Sequence, residues 1–374
     1  MGAKSGSGHI LCVVGARPNF MKIAPIMRAF AAPESALEAR LVHTGQHYDE
    51  AMKQAFFEQL NIPEPDIDLE VGSGSHAQQT AEIMKRFEPV LDEAPPAAVL
   101  VVGDVNSTIA CALVAVKKGI PVIHVEAGLR SGDRSMPEEI NRILTDQLSD
   151  LLFLTEDGAR ENLRREGIAD DKAHFVGNVM IDTLLYNLRD AVPAVQTLAA
   201  AGVEGPFGLV TLHRPSNVDE PAVLRRLLEV LSEASHSTPL LFPIHPRTAA
   251  RIEQAGLGSL LENAAITTLP PLGYLEMLGL MKEARVVFTD SGGIQEETTA
   301  LGVPCITLRE NTERPITVEE GTNSVVGTDP AAILAAYRQV LADGGKRGRS
   351  PELWDGAAAR RIVGEINRWV EARS

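Results

Sequence analysis

The 374-residue sequence predicts an α/β protein built from two Rossmann-like, doubly wound domains. Short apolar runs alternate with longer amphipathic stretches, the pattern of strands and crossover helices in a parallel sheet. The alternation starts again near the middle of the chain. A chain of this length also exceeds one ordinary hydrophobic core. Two such domains are expected to face a cleft at the carboxyl edges of their sheets, where open α/β sheets bind ligands.

The first half of the sequence contains nearly continuous apolar runs, as expected for strands buried on both faces of a sheet. The predicted strands are Ile10–Val14, Ala39–His43, Ala97–Val102, Pro121–Val125 and Leu151–Leu154. The stretches between them predict helices at Asn19–Phe30, Glu50–Leu60, His76–Asp92, Asn106–Lys117 and Glu138–Ser149. We assign residues 9–190 to this first domain.

The second half repeats the pattern. Its predicted strands are Phe207–Thr211, Leu240–Ile244, Ala264–Thr268, Val286–Thr289 and Cys305–Leu308. Its predicted helices are Pro221–Ser235, Tyr274–Lys282 and Ile294–Ala300. Proline and glycine in the segment 192–205 place the crossover between domains near it. We assign residues 191–356 to the second domain, and a last helix is predicted at Ala357–Glu371 after a glycine-rich break.

Composition excludes several classes of protein. The formal net charge of −15 disfavours non-specific nucleic-acid binding, which needs lysine and arginine to neutralise phosphates. No apolar run is long enough to span a membrane. Three cysteines with neither metal-ligand spacing nor an even count indicate buried structural thiols, which suits a cytoplasmic protein. The sequence shows no convincing metal-ligand set.

The segment from Gly15 to Lys22 directly follows the first predicted strand. Pro18 can begin a helix, and the free N–H groups at a helix N-terminus suit an anion. Arg17 and Lys22 add positive charge beside it. A phosphate site is therefore one interpretation, and an ordinary turn with two surface cations is the alternative.

Acidic side chains follow the next two strands at the same sheet edge. Asp104 and Glu126 are candidate proton acceptors or donors, because acids at the carboxyl ends of parallel strands point toward a ligand. The alternative for Asp104 is a helix N-cap, a role that Asn106 also suits. The alternative for Glu126 is a salt bridge to Arg130 or Arg134.

Two further sets of candidate residues are a pair of acids at a helix start and two histidines at strand ends. Glu138 and Glu139 lie in the first turn of a helix, where acids are ordinary, and one of them should face the cleft and the other solvent. His213 and His245 end two strands of the second half and could contact a phosphate or protonate a leaving group. A structural role is the alternative for both histidines.

The segment from Asp290 to Glu297 is the most informative part of the second half. It follows a strand and begins a helix. Gly292 and Gly293 allow a backbone to approach a pyrophosphate closely, and the Ser291 hydroxyl can donate a hydrogen bond. Glu297, one turn further, could accept hydrogen bonds from ribose hydroxyls.

Eight motifs in order resemble one family. They are Gly-Ala-Arg-Pro-Asn-Phe-Met-Lys (15–22), Gly-Gln-His (45–47), Gly-Asp (103–104), His-Val-Glu-Ala-Gly-Leu-Arg (124–130), Pro-Glu-Glu-Ile-Asn-Arg (137–142), His-Arg (213–214), Asp-Ser-Gly-Gly-Ile-Gln-Glu-Glu (290–297) and Thr-Glu-Arg-Pro (312–315). This set resembles the non-hydrolysing UDP-N-acetylglucosamine 2-epimerases over residues 10–370.

The resemblance implies a glycosyltransferase-B-like fold in which the C-terminal helix, residues 357–374, packs back on the first domain. It implies a homodimer that epimerises UDP-N-acetylglucosamine at C2 by eliminating and re-adding UDP, without a metal or other cofactor. The implied catalytic residues are Asp104, Glu126, Glu138 and His213. The implied substrate-binding residues are Arg17, Lys22, Arg142, Ser291, Gly292, Gly293, Glu297 and Arg314.

Alternative functions stay open from the sequence. Relatives that act on 2,3-diacetamido uronic acid sugars share much of the motif set. A hydrolysing epimerase would release N-acetylmannosamine and UDP. A glycosyltransferase on the same fold would need an acceptor, and a non-catalytic sensor would bind without exchange at C2.

Overall fold

Two parallel sheets organise the chain in the computed structural model, which describes residues 8–46, 57 and 59–373. The chain divides into unit 1, residues 1–186 with 352–374, and unit 2, residues 187–351. Each unit contains one of the sheets with helices between successive strands. The predicted α/β class with two doubly wound sheets is therefore confirmed.

The sheet of unit 1 has the order β3-β2-β1-β4-β5-β6-β7 among the described residues, with every pair parallel. Its strands are β1 Ile10–Val14, β2 Ala39–His43, β3 Ile67–Asp68, β4 Ala98–Val102, β5 Val122–Val125, β6 Leu151–Leu154 and β7 Ala173–Phe175. Every residue of β1, β4, β5 and β6 is buried, which explains why these strands are apolar except for His124 in β5.

Helices of unit 1 connect these strands. They are α1 Arg17–Ala31, α2 His76–Glu93, α3 Asn106–Lys117, α4 Pro137–Leu148, α5 Ala159–Arg165 and α6 Val179–Asn187. Helix α2 begins at a capping box, in which Ser75 and Gln78 satisfy each other's backbone N–H groups. Most of the predicted helix Glu50–Leu60 lies outside the described residues.

The C-terminal helix packs within unit 1 against α1, as the resemblance implied. The Asp182 carboxylate accepts hydrogen bonds from the N–H groups of Ala358 and Ala359, at 3.1 and 2.7 Å. The Trp354 indole donates to the carbonyl of Thr155 at 3.0 Å. These contacts cap the N-terminus of the helix and fix it to the unit.

The sheet of unit 2 has the order β10-β9-β8-β11-β12-β13, again with every pair parallel. Its strands are β8 Gly208–Thr211, β9 Leu240–Pro243, β10 Ile266–Leu269, β11 Val286–Thr289, β12 Cys305–Thr307 and β13 Asn323–Val325. The helices of unit 2 are α7 Ala194–Ala201, α8 Pro215–Val218, α9 Pro221–Ser235, α10 Pro246–Gln254, α11 Ser259–Glu262, α12 Tyr274–Glu283, α13 Gly292–Leu301, α14 Pro315–Glu319 and α15 Pro330–Asp343. The C-terminal helix, which belongs to unit 1, is α16 Ala358–Glu371.

The segment 192–205, near which the crossover between domains was predicted, lies in unit 2 and contains α7. Pro193 precedes the helix and Gly202 ends it in a left-handed conformation, so the two residues delimit a helix. The Val192 N–H donates to the carbonyl of Leu275 in α12 at 3.1 Å. Proline and glycine occur at helix ends as well as in linkers between domains, so the sequence alone could not distinguish a helix from a linker here.

All three cysteines are buried and unpaired, as predicted. Burial raises the pKa of the Cys305 thiol to about 11. In the part of the chain that the structure describes, no helix is long and apolar enough to cross a membrane.

Candidate active site

Each sheet has a point where the order of its strands reverses, between β1 and β4 in unit 1 and between β8 and β11 in unit 2. Ligands of doubly wound sheets bind at the carboxyl ends of strands beside such a point. The predicted site residues of each unit follow these strands or their neighbours in the sheet. The topology therefore gathers the unit 1 candidates at one sheet edge and the unit 2 candidates at another.

The turn after β1 packs tightly against the start of α3. A Cβ at Gly15 would lie 2.0 Å from the Ser107 hydroxyl and 2.5 Å from that of Thr44, so only glycine fits there. The Asn19 amide donates to the Val102 carbonyl at 2.5 Å and ties α1 to the end of β4. Gly15 thus serves close packing. Arg17 begins α1, and its side chain lies outside what the structure describes.

Lys22 and Glu126 form a buried ion pair, with side chains only 7% and 5% exposed. The sequence had offered Arg130 or Arg134 as the partner of Glu126, and this alternative is wrong. Arg130 instead contacts Asp146 at 2.7 Å and Glu166 at 2.6 Å. Helix α1 carries Lys22 to the carboxyl end of β5, a contact that depends on tertiary packing.

Glu126 adopts a left-handed backbone conformation, with φ of 75°. For a non-glycine residue this conformation costs about 1–2 kcal/mol, and such strain clusters at functional sites. Its N–H donates to the carbonyl of Phe153 at 3.1 Å. Its carboxylate lies 3.6 Å from where a Cβ of Gly103 would be, which brings it beside the turn that carries Asp104.

Asp104 accepts a hydrogen bond from Arg142 at 3.0 Å (Nε to Oδ2) and forms an ion pair with it at 2.9 Å (Nη2 to Oδ2). Helix α3 has no side-chain N-cap, so the capping alternative for Asp104 and Asn106 is wrong. Arg142 is 2% exposed and also pairs with the buried Glu139. The Glu139 carboxylate in turn accepts from the N–H groups of residues 131 and 132. A buried arginine therefore orients Asp104, and contact of Arg142 with a substrate stays a prediction.

The two acids at the start of α4 have different surroundings, while the expectation that one faces a cleft and the other solvent stays a prediction. Glu139 is buried against Arg142, whereas Glu138 is half-buried. Within the described residues, the Glu138 side chain has no hydrogen-bond or ion-pair partner. Glu138 is therefore the acid of the two that is available to a ligand.

A buried network that the sequence did not reveal lies behind these acids. His124 contacts the Gly103 carbonyl at 2.8 Å through Nε2 and Asp146 at 2.6 Å through Nδ1. Burial opposes the charge of Asp146, but His124 and Arg130 outweigh it and lower the pKa of that carboxyl. The network joins β5, α4 and the turn before Asp104, so it holds the backbone of the site.

In unit 2, α13 begins at Gly292 directly after β11 and Ser291. The Ser291 side chain makes no capping bond, and acids are absent from the first turn, so the positive end of the helix is not neutralised by its own residues. A Cβ at Gly292 would lie 2.7 Å from a Glu313 oxygen, so a larger residue there would force the Glu313 carboxylate to move. Ser291, Gly292 and Gly293 thus form the start of a helix suited to an anion.

Glu313 is a buried carboxylate surrounded by arginines. Arg309 contacts it at 2.8 Å and Arg214 at 3.5 Å. Burial opposes the charge, but Arg314, Arg309 and Arg214 lower the pKa of Glu313 well below its usual range. Arg309 was not among the predicted site residues, although it lies two residues beyond the end of β12, and side chains just after strand ends are the ones expected at such a site.

Two other predicted ligand contacts are buried and partnered. Arg314 contacts Glu296 at 2.8 Å. The Tyr274 hydroxyl donates to Glu297 at 3.1 Å, and burial with this carboxylate raises the pKa of Tyr274 well above its usual value. Glu297 therefore accepts a hydrogen bond from a hydroxyl of the protein itself, and its contact with a ribose stays a prediction.

His213 lies at the carboxyl end of β8 with its side chain 41% exposed. Its Nδ1 lies 3.1 Å from Asp290, and its ring centroid is 6.1 Å from that of His245. His245 caps α10 by accepting from the N–H of Arg247, a structural role that the sequence had left open. Among the described residues, no group of three His, Cys, Asp or Glu could hold a metal ion.

Comparison with known proteins identifies the family. The family model described as UDP-N-acetylglucosamine 2-epimerase matches residues 31–367. The UDP-N-acetylglucosamine 2-epimerase of Methanocaldococcus jannaschii is 43% identical over 357 residues, which cover 94% of this chain and 96% of that protein. The UDP-2,3-diacetamido-2,3-dideoxy-D-glucuronate 2-epimerase of Pseudomonas aeruginosa is 42% identical over 335 residues, 89% of this chain and 92% of that protein.

Solved structures agree. The crystal structure of the M. jannaschii UDP-GlcNAc 2-epimerase in complex with UDP-GlcNAc and UDP matches with a TM-score of 0.88 and 41% identity, covering 96% of this chain and 99% of that chain. The likeness extends over both units and supports the glycosyltransferase-B-like fold class that the resemblance implied. The chain therefore belongs to the UDP-N-acetylglucosamine 2-epimerase family and is an isomerase.

Proposed function

We propose that this enzyme interconverts UDP-N-acetylglucosamine and UDP-N-acetylmannosamine by inverting C2. The observation that carries the proposal is the pair of acids at the carboxyl ends of adjacent strands, Asp104 after β4 and Glu126 after β5. Inversion needs proton acceptors and donors on two faces of the sugar, and neighbouring strand ends supply more than one carboxyl. The family and the bound ligands of its solved member support the sugar nucleotide.

The proposed reaction proceeds by elimination and re-addition. A carboxylate removes the C2 proton, the C1–O bond breaks with its electron pair going to UDP, and a double bond forms between C1 and C2. The resulting 2-acetamidoglucal is protonated at C2 from the other face, and UDP adds back to C1. Asp104, Glu126 and Glu138 are the proposed proton-transfer groups, and Arg142 orients the first of them.

Unit 2 is proposed to bind UDP. The free N–H groups at the start of α13, with Ser291, Gly292 and Gly293, would hold the diphosphate. Arg314 would add positive charge, Glu297 would accept from the ribose, and His213 would donate a hydrogen bond to the departing phosphate. Arg17 and Lys22 of unit 1 would hold the diphosphate and sugar. A leaving group held by fixed donors lowers the barrier because charge develops there.

We also expect a homodimer. Ile140 and Leu144 lie one turn apart on α4 and are 41% and 47% exposed. Large apolar side chains on one helix face favour burial against a partner. The charge substitution Leu144→Glu should shift the molar mass measured by light scattering toward the monomer, whereas Leu185→Glu, at 41% exposure on α6, is the control and should leave the molar mass unchanged. A cytoplasmic location is proposed from the three unpaired buried thiols.

The test is incubation with UDP-N-acetylglucosamine in heavy water, followed by NMR without added metal or nicotinamide cofactor. We expect deuterium at C2 and a growing UDP-N-acetylmannosamine signal. Asp104→Asn and Glu126→Gln should slow both by about 100-fold or more, whereas Asp157→Asn, at an exposed carboxylate, should not. Release of free N-acetylmannosamine would instead assign a hydrolysing enzyme. Faster turnover of the 2,3-diacetamido uronate nucleotide would overturn the proposed sugar.

A further inference from the structure

Asp290 is fully buried at the end of β11, yet both of its carboxylate oxygens face donors from the β8–α8 turn. The N–H of His213 donates to both oxygens, at 3.1 and 3.0 Å, and the N–H of Arg214 donates at 2.9 Å. The Asn217 amide donates at 3.2 Å. The turn that presents His213 is therefore built around this one carboxylate.

The His213 ring also faces this carboxylate. Its Nδ1 lies 3.1 Å from Oδ1 of Asp290. Burial opposes the charge of Asp290, but the ring and the N–H groups of residues 213 and 214 outweigh it, so the pKa of this carboxyl is lowered and it stays ionised. An ionised carboxylate only accepts hydrogen bonds, so this contact favours a hydrogen on Nδ1.

The opposite side of the ring is then defined. Because Nδ1 faces the buried acid, Nε2 lies on the far side of a ring that is 41% exposed. No described residue forms a hydrogen bond with Nε2. The ring of His245, from the end of β9, lies 6.1 Å from the His213 ring, and the guanidinium of the adjacent residue Arg214 contacts Glu313.

We propose that Asp290 is a positioning residue that holds His213 with Nδ1–H toward the sheet and Nε2 toward the diphosphate, and that stabilises the imidazolium while UDP departs. This inference rests on the proposed function. In the step concerned, the C1–O electron pair moves to the diphosphate oxygen and the C2 proton moves to a carboxylate. The imidazolium donates a hydrogen bond from its Nε2–H to the phosphate, and this proton stays on Nε2. The step therefore consumes no reactant besides the UDP-sugar.

The decisive variant is Asp290→Asn, which keeps the size and leaves one acceptor oxygen for the turn. With its oxygen held by the turn, the asparagine presents its N–H₂ to Nδ1, and this group cannot accept a hydrogen bond. Because asparagine is also neutral, the imidazolium loses its counter-charge. We expect kcat to fall about 100-fold or more, with the affinity for UDP nearly unchanged. The limb of the pH–rate profile that requires a protonated histidine should move to lower pH, because the imidazolium now forms less readily.

A measurement on the free enzyme tests the dyad without relying on turnover. In ¹⁵N NMR of labelled histidine, assigned with His213→Gln, the neutral ring should carry its hydrogen on Nδ1 in the wild type. In Asp290→Asn it should change to the Nε2–H form that neutral histidine otherwise favours. Asn217→Ala removes another hydrogen bond to Asp290, so it should lower stability and leave both the nitrogen shifts and the pH limb in place.

The outcomes separate the possibilities. Wild-type nitrogen shifts and an unmoved pH limb in Asp290→Asn would overturn the proposal and leave Asp290 as a cap of the turn. Equal effects of Asn217→Ala and Asp290→Asn on the pH limb would overturn it as well. Failure of the wild type to epimerise any UDP-sugar would refute the proposed function, while the nitrogen shifts would still report whether Asp290 fixes the ring.

Discussion

Lys22 reaches from α1 to the left-handed residue Glu126, and the two charges pair where water is nearly excluded. Two charges removed from water remain stable only while each has its partner. The pair lies beside Gly103, whose φ is 67° and whose missing side chain leaves room for Nζ 2.8 Å from the Cβ position. A substitution at any of these three positions therefore affects the other two.

A double-mutant cycle should reveal this coupling. Lys22→Met and Glu126→Gln should each lower the free energy of unfolding by about 3–5 kcal/mol, because each leaves one buried charge unpaired. The double variant should lose less than the sum, since no unpaired charge remains. Urea unfolding measures the stabilities. Additive losses would contradict a coupled pair, and the double variant should regain stability without regaining epimerase activity.

Two helical glycines should respond in opposite directions to alanine. Gly279 lies in α12, and a Cβ there would meet the Val192 carbonyl oxygen at 1.7 Å. Gly364 lies in α16 with nothing within 4 Å of the same position. Gly364→Ala should stabilise the protein by about 0.5–1 kcal/mol through helix propensity. Gly279→Ala should destabilise it by about 1–3 kcal/mol, because backbone must move. Thermal unfolding compares the two, and a gain at both positions would refute the close contact.

The central strands were predictable because burial on both faces of the sheet requires an uninterrupted run of apolar residues, which is visible in the sequence. Residues of β1 and β4 are apolar without interruption, and their predicted bounds differ from the observed ones by at most one residue. The strands β3, β7 and β13 were missed because they are two or three residues long and, unlike the equally short β12, are not fully buried and apolar around that run. A run that short has no periodicity to detect.

The site was predictable only as far as strand ends define it. Asp104, Glu126 and His213 each follow a strand, so the topology alone assigns them to the site edges. Their partners were not predictable, because Lys22 and Asp290 come from other segments of the chain. Sequence proximity suggested Arg130 for Glu126, whereas packing pairs Arg130 with Asp146.

Arg142 should be indispensable to the fold of the site, because it is the guanidinium between Asp104 and the buried Glu139. Arg142→Met removes the guanidinium that contacts both carboxylates, so stability should fall by about 3–5 kcal/mol. Arg142→Met combined with Glu139→Gln should recover much of this loss, since the buried acid is then neutral. Urea unfolding of both variants is the measurement. Equal stability of the two would show that Glu139 does not depend on Arg142.

Glu313 should make stability depend on acid pH. Its pKa in the folded protein is lowered by arginines, so it contributes stability above the unfolded-state value of about 4.3 and loses it as pH falls toward the folded value. Glu313→Gln should therefore lower the free energy of unfolding near neutral pH by about 3–5 kcal/mol, because buried arginines lose their acid. The gap to the wild type should narrow below about pH 4.3. Glu229→Gln, at an exposed acid, is the control and should show no gap at either pH. Urea unfolding across this range decides the matter, and a gap that stays constant as the pH falls would mean that Glu313 is not held ionised by its arginines.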